Sequence, residues 1–563
     1  MLHHILLRQK VIVMVAVMSG LFLVALDQTI ISTALAKIVE DFNSFSSLTW
    51  VITAYLLTST VTVPIAGKLS DIFGRRLMLM IGVSVFTLTS LLSGASQNIE
   101  QLILFRGLQG IGGGIILANA FTIVGDLFSP RERGKWQGLI GAVFGLSSVV
   151  GPLLGGFLTD PHTIFGLTTD WRWTFLINVP IGIVSFILIA KYCPPISHKH
   201  RPKIDYLGAS FLTIALSSII LAVNSTESVF SSLINAGMSV DVVKFGLYLV
   251  AMLAIAAFIW AESRADEPII PLVFFKNRTF STIMIVSLLF GAAFLGAILY
   301  LTQFNIQVFG ANATNAGLML LPMIAGLSIT SALTGQLVSR TGKYKLPLIL
   351  GFALATTGIF TLSLLGVDSP YWHEAIIMAF VGIGLGTGMP IMNLAVQNEF
   401  EQRDLGAATA SSQLFRGLGS TIGTAVLGGI LTVGVTTSLG NLNQDPYIQT
   451  LKTQPAAAQL VGGEVTSDLA LNLNTAYLRG AISDGLDKSL AASPATVQVK
   501  TQIKDAFVVK QSSFNDKVVD AFSSSLHSVF YVSAGLMLLA TIAATFIKEK
   551  PLRGGHDDTP GIA

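Results

Sequence analysis

Fourteen separate stretches of apolar sequence, each long enough to cross a bilayer, restrict this chain to very few folds. They fall at 11–35, 48–66, 77–95, 102–125, 136–158, 174–191, 206–223, 243–261, 280–304, 312–337, 346–366, 372–395, 405–435 and 526–547. At 1.5 Å rise per residue, about 20 residues span the roughly 30 Å of hydrocarbon. A backbone in lipid must satisfy its own polar groups, so such stretches are helices. Charged residues make up only 12% of the 563, against about 25% in ordinary soluble domains. The reading is an all-α polytopic membrane protein with fourteen transmembrane helices. The first stretch carries Asp27, is too long for a signal peptide and is followed by thirteen more, so it is read as retained.

An even count puts both termini on one side. With the termini cytoplasmic, the short inward segments hold most of the lysines and arginines, among them Arg75, Arg76, Arg131, Arg133, Lys343 and Lys345. The short outward ones hold only Lys37, Arg172 and Lys244. That bias predicts a multi-pass protein of the plasma or inner membrane with both ends cytoplasmic. No single-sign patch suggests nucleic acid, and the lone Cys193 excludes an internal disulfide.

An internal repeat divides the chain. GKLSDIFGRR (67–76) lies between the second and third helices and GQLVSRTGKY (335–344) between the tenth and eleventh, pairing Gly67 with Gly335, Gly74 with Gly342 and Arg75 with Lys343. A weaker echo relates Gly134–Gly156 to Gly406–Gly428. Two related six-helix bundles with a pair of helices inserted between them account for the count. The predicted division is an N-terminal bundle at 1–191, a basic, proline-rich cytoplasmic connector at 192–205, inserted helices seven and eight with the following loop at 206–278, and a C-terminal bundle at 279–563. A nearly neutral outer segment at 436–523 contains two moderately helical pieces, near 465–490 and 500–522. It reads as a polar lid or spacer.

Ionisable residues inside apolar helices are costly without water or a partner. Asp27, in LFLVALDQTIIS, reads as a proton-coupling or cation-binding carboxylate, or as the structural partner of a polar cluster. Burial favours a neutral carboxyl and a nearby cation favours the carboxylate, so surroundings that alternate can load and unload a proton. Arg106 in helix four lies at comparable depth, so the two are expected in one water-filled network; carbonyl capping is the other role open to the arginine. Gly67, Asp71, Gly74, Arg75, Arg76 and Asp126, with Gly335, Gly342 and Lys343 in the second half, read as an inner gate. Gly145, Gly151, Pro152, Gly155 and Gly156 make helix five a close-packed, bent element that can seal or pivot. Trp50, Tyr55, Asn119, Asn178, Gln303, Asn305, Gln307, Asn393, Gln413 and Arg416 suggest a mixed cavity for an amphipathic solute. No second carboxylate stands out in the core of the C-terminal half.

No nucleotide loop, metal motif or nucleophilic triad is present, and GIGGG at 110–114 lies in an apolar helix. Any transport must draw on an ion gradient and needs no cofactor.

The chain resembles the major facilitator superfamily, in its fourteen-helix drug:proton antiporter branch of bacterial multidrug and quaternary-ammonium efflux proteins. LDQTIISTALAKI (26–38), GKLSDIFGRR, RGLQGIGGG (106–114), GLSSVVGPLLGG (145–156), WRWTFLINVPIG (171–182), IDYLG (204–208) and DEPIIPLVFF (266–275) occur in the expected order. The resemblance implies a major facilitator fold, an acidic position at Asp27, proton coupling through Arg106 and an antiporter motif on helix five. It also implies export of small amphipathic or lipid-like compounds in exchange for protons among membrane lipids, and two nearly symmetric halves within one chain make a monomer sufficient in principle. Export of a lipid, siderophore or endogenous metabolite is the alternative. A non-transporting sensor or scaffold would explain neither the repeated gates nor the intramembrane charges.

Overall fold

The computed structural model describes residues 6–42, 48–159, 163–164, 167–194, 204–224, 226–311, 313–367, 369–454, 461, 465 and 467–552. Most of the predicted connector, 195–203, lies outside that set. Among the described residues, fourteen helices are long and apolar enough to cross a membrane. Numbered in chain order, the spans are Leu7–Phe42, Leu48–Phe73, Arg75–Gly94, Ile99–Leu127, Pro130–Thr159, Trp173–Tyr192, Tyr206–Asn224, Val240–Glu262, Arg278–Gln307, Leu321–Thr341, Lys345–Leu362, Tyr371–Glu399, Leu405–Leu439 and Val497–Thr545. The face where span one starts is called inner here, after the charge bias. Among the described residues the only strands form one antiparallel pair, in which Thr163 faces Thr168 and Ile164 faces Leu167.

Local chemistry sets several helix starts. Asn98 accepts from the Gln101 amide at 2.9 Å to begin span four. Asn277 accepts from Thr279 and Phe280 to begin span nine, while its own amide donates to Glu399 at 2.7 Å. The glycines of span four serve two neighbours at once. A Cβ at Gly114 would lie 2.6 Å from the Ser59 carbonyl oxygen of span two, and one at Gly112 2.8 Å from the Gly82 carbonyl of span three. Close approach on two faces is what the RGLQGIGGG run provides.

Two bundles result. Spans one to six enclose a core that includes Met14, Leu21, Phe86, Phe121 and Ile140. Spans nine to fourteen enclose another, with Phe280, Phe290, Phe352 and Met537. Spans seven and eight form a hairpin outside both: Leu212, Leu216 and Phe258 cover Val61 of span two and Leu414 of span thirteen. Lys68 of span two pairs with Glu267 in the loop after span eight at 2.6 Å, and Glu262 accepts from the Ile269 and Ile270 amides of that loop.

The outer segment differs from a bare spacer. Span fourteen is a continuous helix of 49 residues, so the amphipathic piece near 500–522 is its outer extension rather than a separate helix. Helices Pro446–Lys452 and Ala476–Ala492 pack with it, and Ser467–Leu473 packs against span thirteen. Tyr447 meets the Phe507 and Phe514 rings at 5.5 and 5.1 Å. These apolar positions continue the C-terminal core beyond the bilayer, where the helices are less hydrophobic overall than a span and harder to read.

Cys193, just past span six, is buried, and that burial pushes its thiol up to about 12. The thiolate is the reactive form. A maleimide at pH 7 is therefore expected to leave the folded protein unmodified and to label it fully after unfolding in dodecyl sulfate, as read by intact mass.

Candidate functional site

Asp27 of span one and Arg106 of span four form an ion pair, with Nη1 2.5 Å from Oδ2, and both side chains are buried. The amide of Gln109, one turn after Arg106, donates to Asp27 Oδ1 at 3.0 Å and to Ser90 Oγ at 2.9 Å. Asn178 of span six donates to the same two oxygens at 3.3 and 3.0 Å. Arg106 also donates to Gln109 Oε1 at 2.8 Å and to the Val51 carbonyl at 3.3 Å, and its guanidinium lies 4.4 Å from the Tyr55 ring centroid. Spans one, two, three, four and six thus converge on one carboxylate. Arg106 acts as ion-pair partner and as carbonyl cap at once.

The network is enclosed by protein: Asp27 has no exposed surface here. That corrects the expected water-filled setting, and it moves Tyr55 and Asn178 from the solute cavity into this polar cluster. Sequence reading missed Gln109 and Ser90, although the spacing of Gln109 from Arg106 puts both on one helix face.

The inner ends of the bundles are latched. Arg75, at the start of span three, donates to Asp126 Oδ2 at 2.8 Å and to Asp71 and Ser70. Held this way, Asp71 accepts from the backbone amides of Gly406 and Ala407 at 3.1 and 3.0 Å, at the first turn of span thirteen in the other bundle. Free amides at a helix N-terminus favour an anion. Arg133, counted from sequence only as a topology signal, donates to the carbonyls of Phe128, Gly125 and, across the bundles, Gln397. Arg76 turns inward to the Ala190 carbonyl and takes no part in the crossing.

Two glycine crossings flank the latch. A Cβ at Gly67 would lie 2.9 Å from the Gly406 carbonyl oxygen, and one at Gly134 2.7 Å from that of Gly335. Gly67 is thus inside span two at a close approach; the turn belongs to Gly74, whose φ is 90°. Gly342 takes the same role after span ten at φ 71°. The charged part is not repeated. Ser339 stands where the first half has Asp71, and Lys343 is exposed with no ion pair among the described residues, which removes it from the gate.

Span five runs along span ten. Gly138 and Gly141 meet Ser331, and a Cβ at Gly145 would stand 3.0 Å from that of Ser328. Gly151 instead faces Thr29 of span one, and Pro152 abuts Gly317 across the bundles. Gly155 is buried and Gly156 half-buried.

Of the remaining cavity residues, Trp50, Asn119, Gln303, Asn305 and Gln307 scatter, while Asn393, Gln413 and Arg416 stand on spans twelve and thirteen. Gln307 accepts from the Asn474 amide at 3.0 Å, tying the outer segment to span nine. Asn119 donates to Ile115 of its own helix. Trp50 and Gln303 are half-buried without a hydrogen bond among the described residues. Asn305, with its amide nitrogen turned inward, donates to both oxygens of Glu374 at 2.9 and 3.0 Å. Fully buried, Glu374 is the carboxylate of the C-terminal half that the sequence reading did not find. Its place in the first turn of span twelve, after Tyr-Trp-His, reads from sequence as a helix end at the interface. A shallow cleft of about 600 Å³ at the outer rim is lined by Phe309, Gly310, Ala311, Asn315, Leu318, Met319 and Tyr371, none of them part of the pair or the latch.

Two six-helix bundles joined through glycine crossings, the first of them enclosing an intramembrane ion pair, have the plan of a polytopic membrane transporter. The profile of the Major Facilitator Superfamily matches residues 17–424, and the chain belongs to that superfamily. It is 35% identical over 546 residues to the Bacillus subtilis multidrug transporter protein MdtP, covering 97% of this chain and 94% of that one. It is 31% identical over 539 residues to multidrug resistance protein 3 of the same organism, covering 95% and 94%. Among solved structures, the proton:xylose symporter XylE superposes with a TM-score of 0.57 at 13% identity, over 96% of this chain and 97% of that one, a likeness of fold. Fourteen spans and multidrug relatives fit the drug:proton antiporter branch.

Proposed function

We propose that this transporter exports small amphipathic compounds across the cell membrane in exchange for protons, by alternating access of one chain with both ends in the cytoplasm. The observation that carries the reading is the enclosed Asp27–Arg106 pair. An ionised carboxylate needs its cation at that depth, so proton binding at Asp27 frees Arg106 and changes what the neighbouring spans can satisfy. Opening of the inner latch, formed by Asp71 of span two with the first turn of span thirteen, would then expose the path between bundles to the cytoplasm. The two Bacillus relatives, both multidrug proteins by name, support a drug-like substrate. One proton moving down 100 mV supplies about 2.3 kcal/mol.

The test uses purified protein in liposomes with an imposed pH gradient and a pair of fluorescent amphipathic dyes, one anionic and one cationic, either of which counts as substrate. Uptake that follows the gradient, collapses with a protonophore and is lost in Arg106→Ala is expected. Gradient-dependent uptake of unchanged size in Arg106→Ala would remove the pair from the coupling step.

A further inference from the structure

The two bundles meet at a hydrogen-bonded floor. The amide of Gln397 on span twelve donates to the Phe121 carbonyl of span four at 3.0 Å and to Thr409 Oγ1 of span thirteen at 3.2 Å, and Gln137 of span five donates to the same carbonyl at 3.2 Å. One turn outward of Gln397 stands Asn393; outward of Thr409, on the same helix face, stand Gln413 and then Arg416. None of the three is satisfied. Both amide atoms of Gln413 and the Nδ2 of Asn393 are buried without a partner, at 5% and 1% residue exposure. Among the described residues the Arg416 guanidinium has no hydrogen bond or ion pair. It lies over the Phe121 ring across the bundles at 5.9 Å, itself stacked on Phe144 at 6.5 Å.

Intramembrane carboxylates elsewhere are already engaged. Asp27 is held by Arg106, Asp71 and Asp126 by Arg75, and Glu374 by Asn305. Spans nine, ten and thirteen contain no acidic residue. An uncompensated cation beside two idle amides, with an aromatic face opposite, is set up for a ligand that brings the missing charge.

We propose that Arg416, Gln413 and Asn393 form an anion subsite between the bundles, so that the exported compounds are amphiphiles bearing one negative charge, a carboxylate, sulfonate or phosphate on an apolar body. This rests on the export reading and narrows its substrate. An inside-negative membrane potential then favours both the outgoing anion and the incoming proton. The headgroup of an anionic lipid and a free aromatic acid share this chemistry.

The probes are 2-naphthalenesulfonate and 2-naphthyltrimethylammonium, similar bodies of opposite charge, titrated calorimetrically into the full chain in nanodiscs of neutral phosphatidylcholine. The wild type is expected to bind the sulfonate at least tenfold more tightly than the ammonium. Arg416→Gln should lose tenfold or more for the sulfonate, Arg416→Lys should stay within threefold of wild type, and neither should weaken the ammonium. Equal affinity of the wild type for the two probes overturns the subsite before any variant is made, so the test survives a variant that fails to fold. Wild-type sulfonate affinity in a folded Arg416→Gln also overturns it. Anionic phosphatidylglycerol in the disc competes if a lipid headgroup is the ligand and does not if a soluble acid is; both results keep the subsite. Binding needs no gradient, which separates the two readings. Arg416-dependent sulfonate binding without gradient-driven uptake defeats export alone, and dye uptake without such binding defeats the subsite alone.

Discussion

Asp27→Asn is expected to abolish gradient-driven export, by at least about a hundredfold, while leaving a folded protein that still binds substrate within about threefold. Asparagine has nearly the shape of aspartate and can still accept from Gln109 and Asn178, so the polar cluster stays filled. What disappears is the charge opposite Arg106, 2.5 Å away and buried. Stripping one partner from a buried pair costs about 3–5 kcal/mol in general. Here Arg106 keeps the Val51 carbonyl and Gln109 Oε1, which soften the loss. The larger effect is on coupling, because an amide cannot take up and release the proton that would free the arginine. The measurement is substrate flux in proteoliposomes at fixed pH gradient, beside binding to the same sample without a gradient. Wild-type flux in this variant would move the coupling carboxylate elsewhere, and Glu374 would be the first to examine.

The second large effect is at the inner latch. Asp71→Asn loses charge-assisted hydrogen bonds to the Gly406 and Ala407 amides, each worth about 1.5–3 kcal/mol. A net loss of about 3 kcal/mol shifts the balance toward the inner-open arrangement by about a hundredfold. Gly67→Leu should go further, since its first side-chain carbon would meet the Gly406 backbone and the crossing could not close at all. Spin labels at Phe73→Cys and Arg403→Cys, both exposed at the inner face, in a Cys193→Ala background report the separation by double electron-electron resonance. The parent should give one short distance and both variants a longer, broader one. An unchanged distribution in Gly67→Leu would show that this crossing does not hold the inner face shut.

Span number and internal repeat were legible because lipid imposes a simple rule: long apolar runs, with basic residues gathered between them. Asp27, Arg106 and the Asp71–Arg75–Asp126 cluster were legible for a related reason, since charge inside such runs is rare enough to notice. Neutral partners were not. Gln109 and Ser90 look like any polar residue in a helix, and only the packing of spans one, three and four makes Gln109 hold a carboxylate while Ser90 anchors its amide. Glu374 escaped because a carboxylate in a first turn reads as an end signal, and its burial depends on Asn305, a helix away in space and far in sequence. The repeat misled at Lys343. Sequence symmetry paired it with Arg75, but Arg75 owes its role to Asp71, and the second half has Ser339 in that place.

The last span also acts as a lever. Its 49 residues extend about 74 Å, of which the bilayer accounts for about 30 Å, so a stiff rod of about 40 Å projects outside. Being one unbroken helix with the C-terminal bundle, the rod swings with it. A tilt of about ten degrees at the membrane then displaces the tip by about 7 Å, which makes the external helices a pointer whose position a bound antibody fragment would read out in single-particle images.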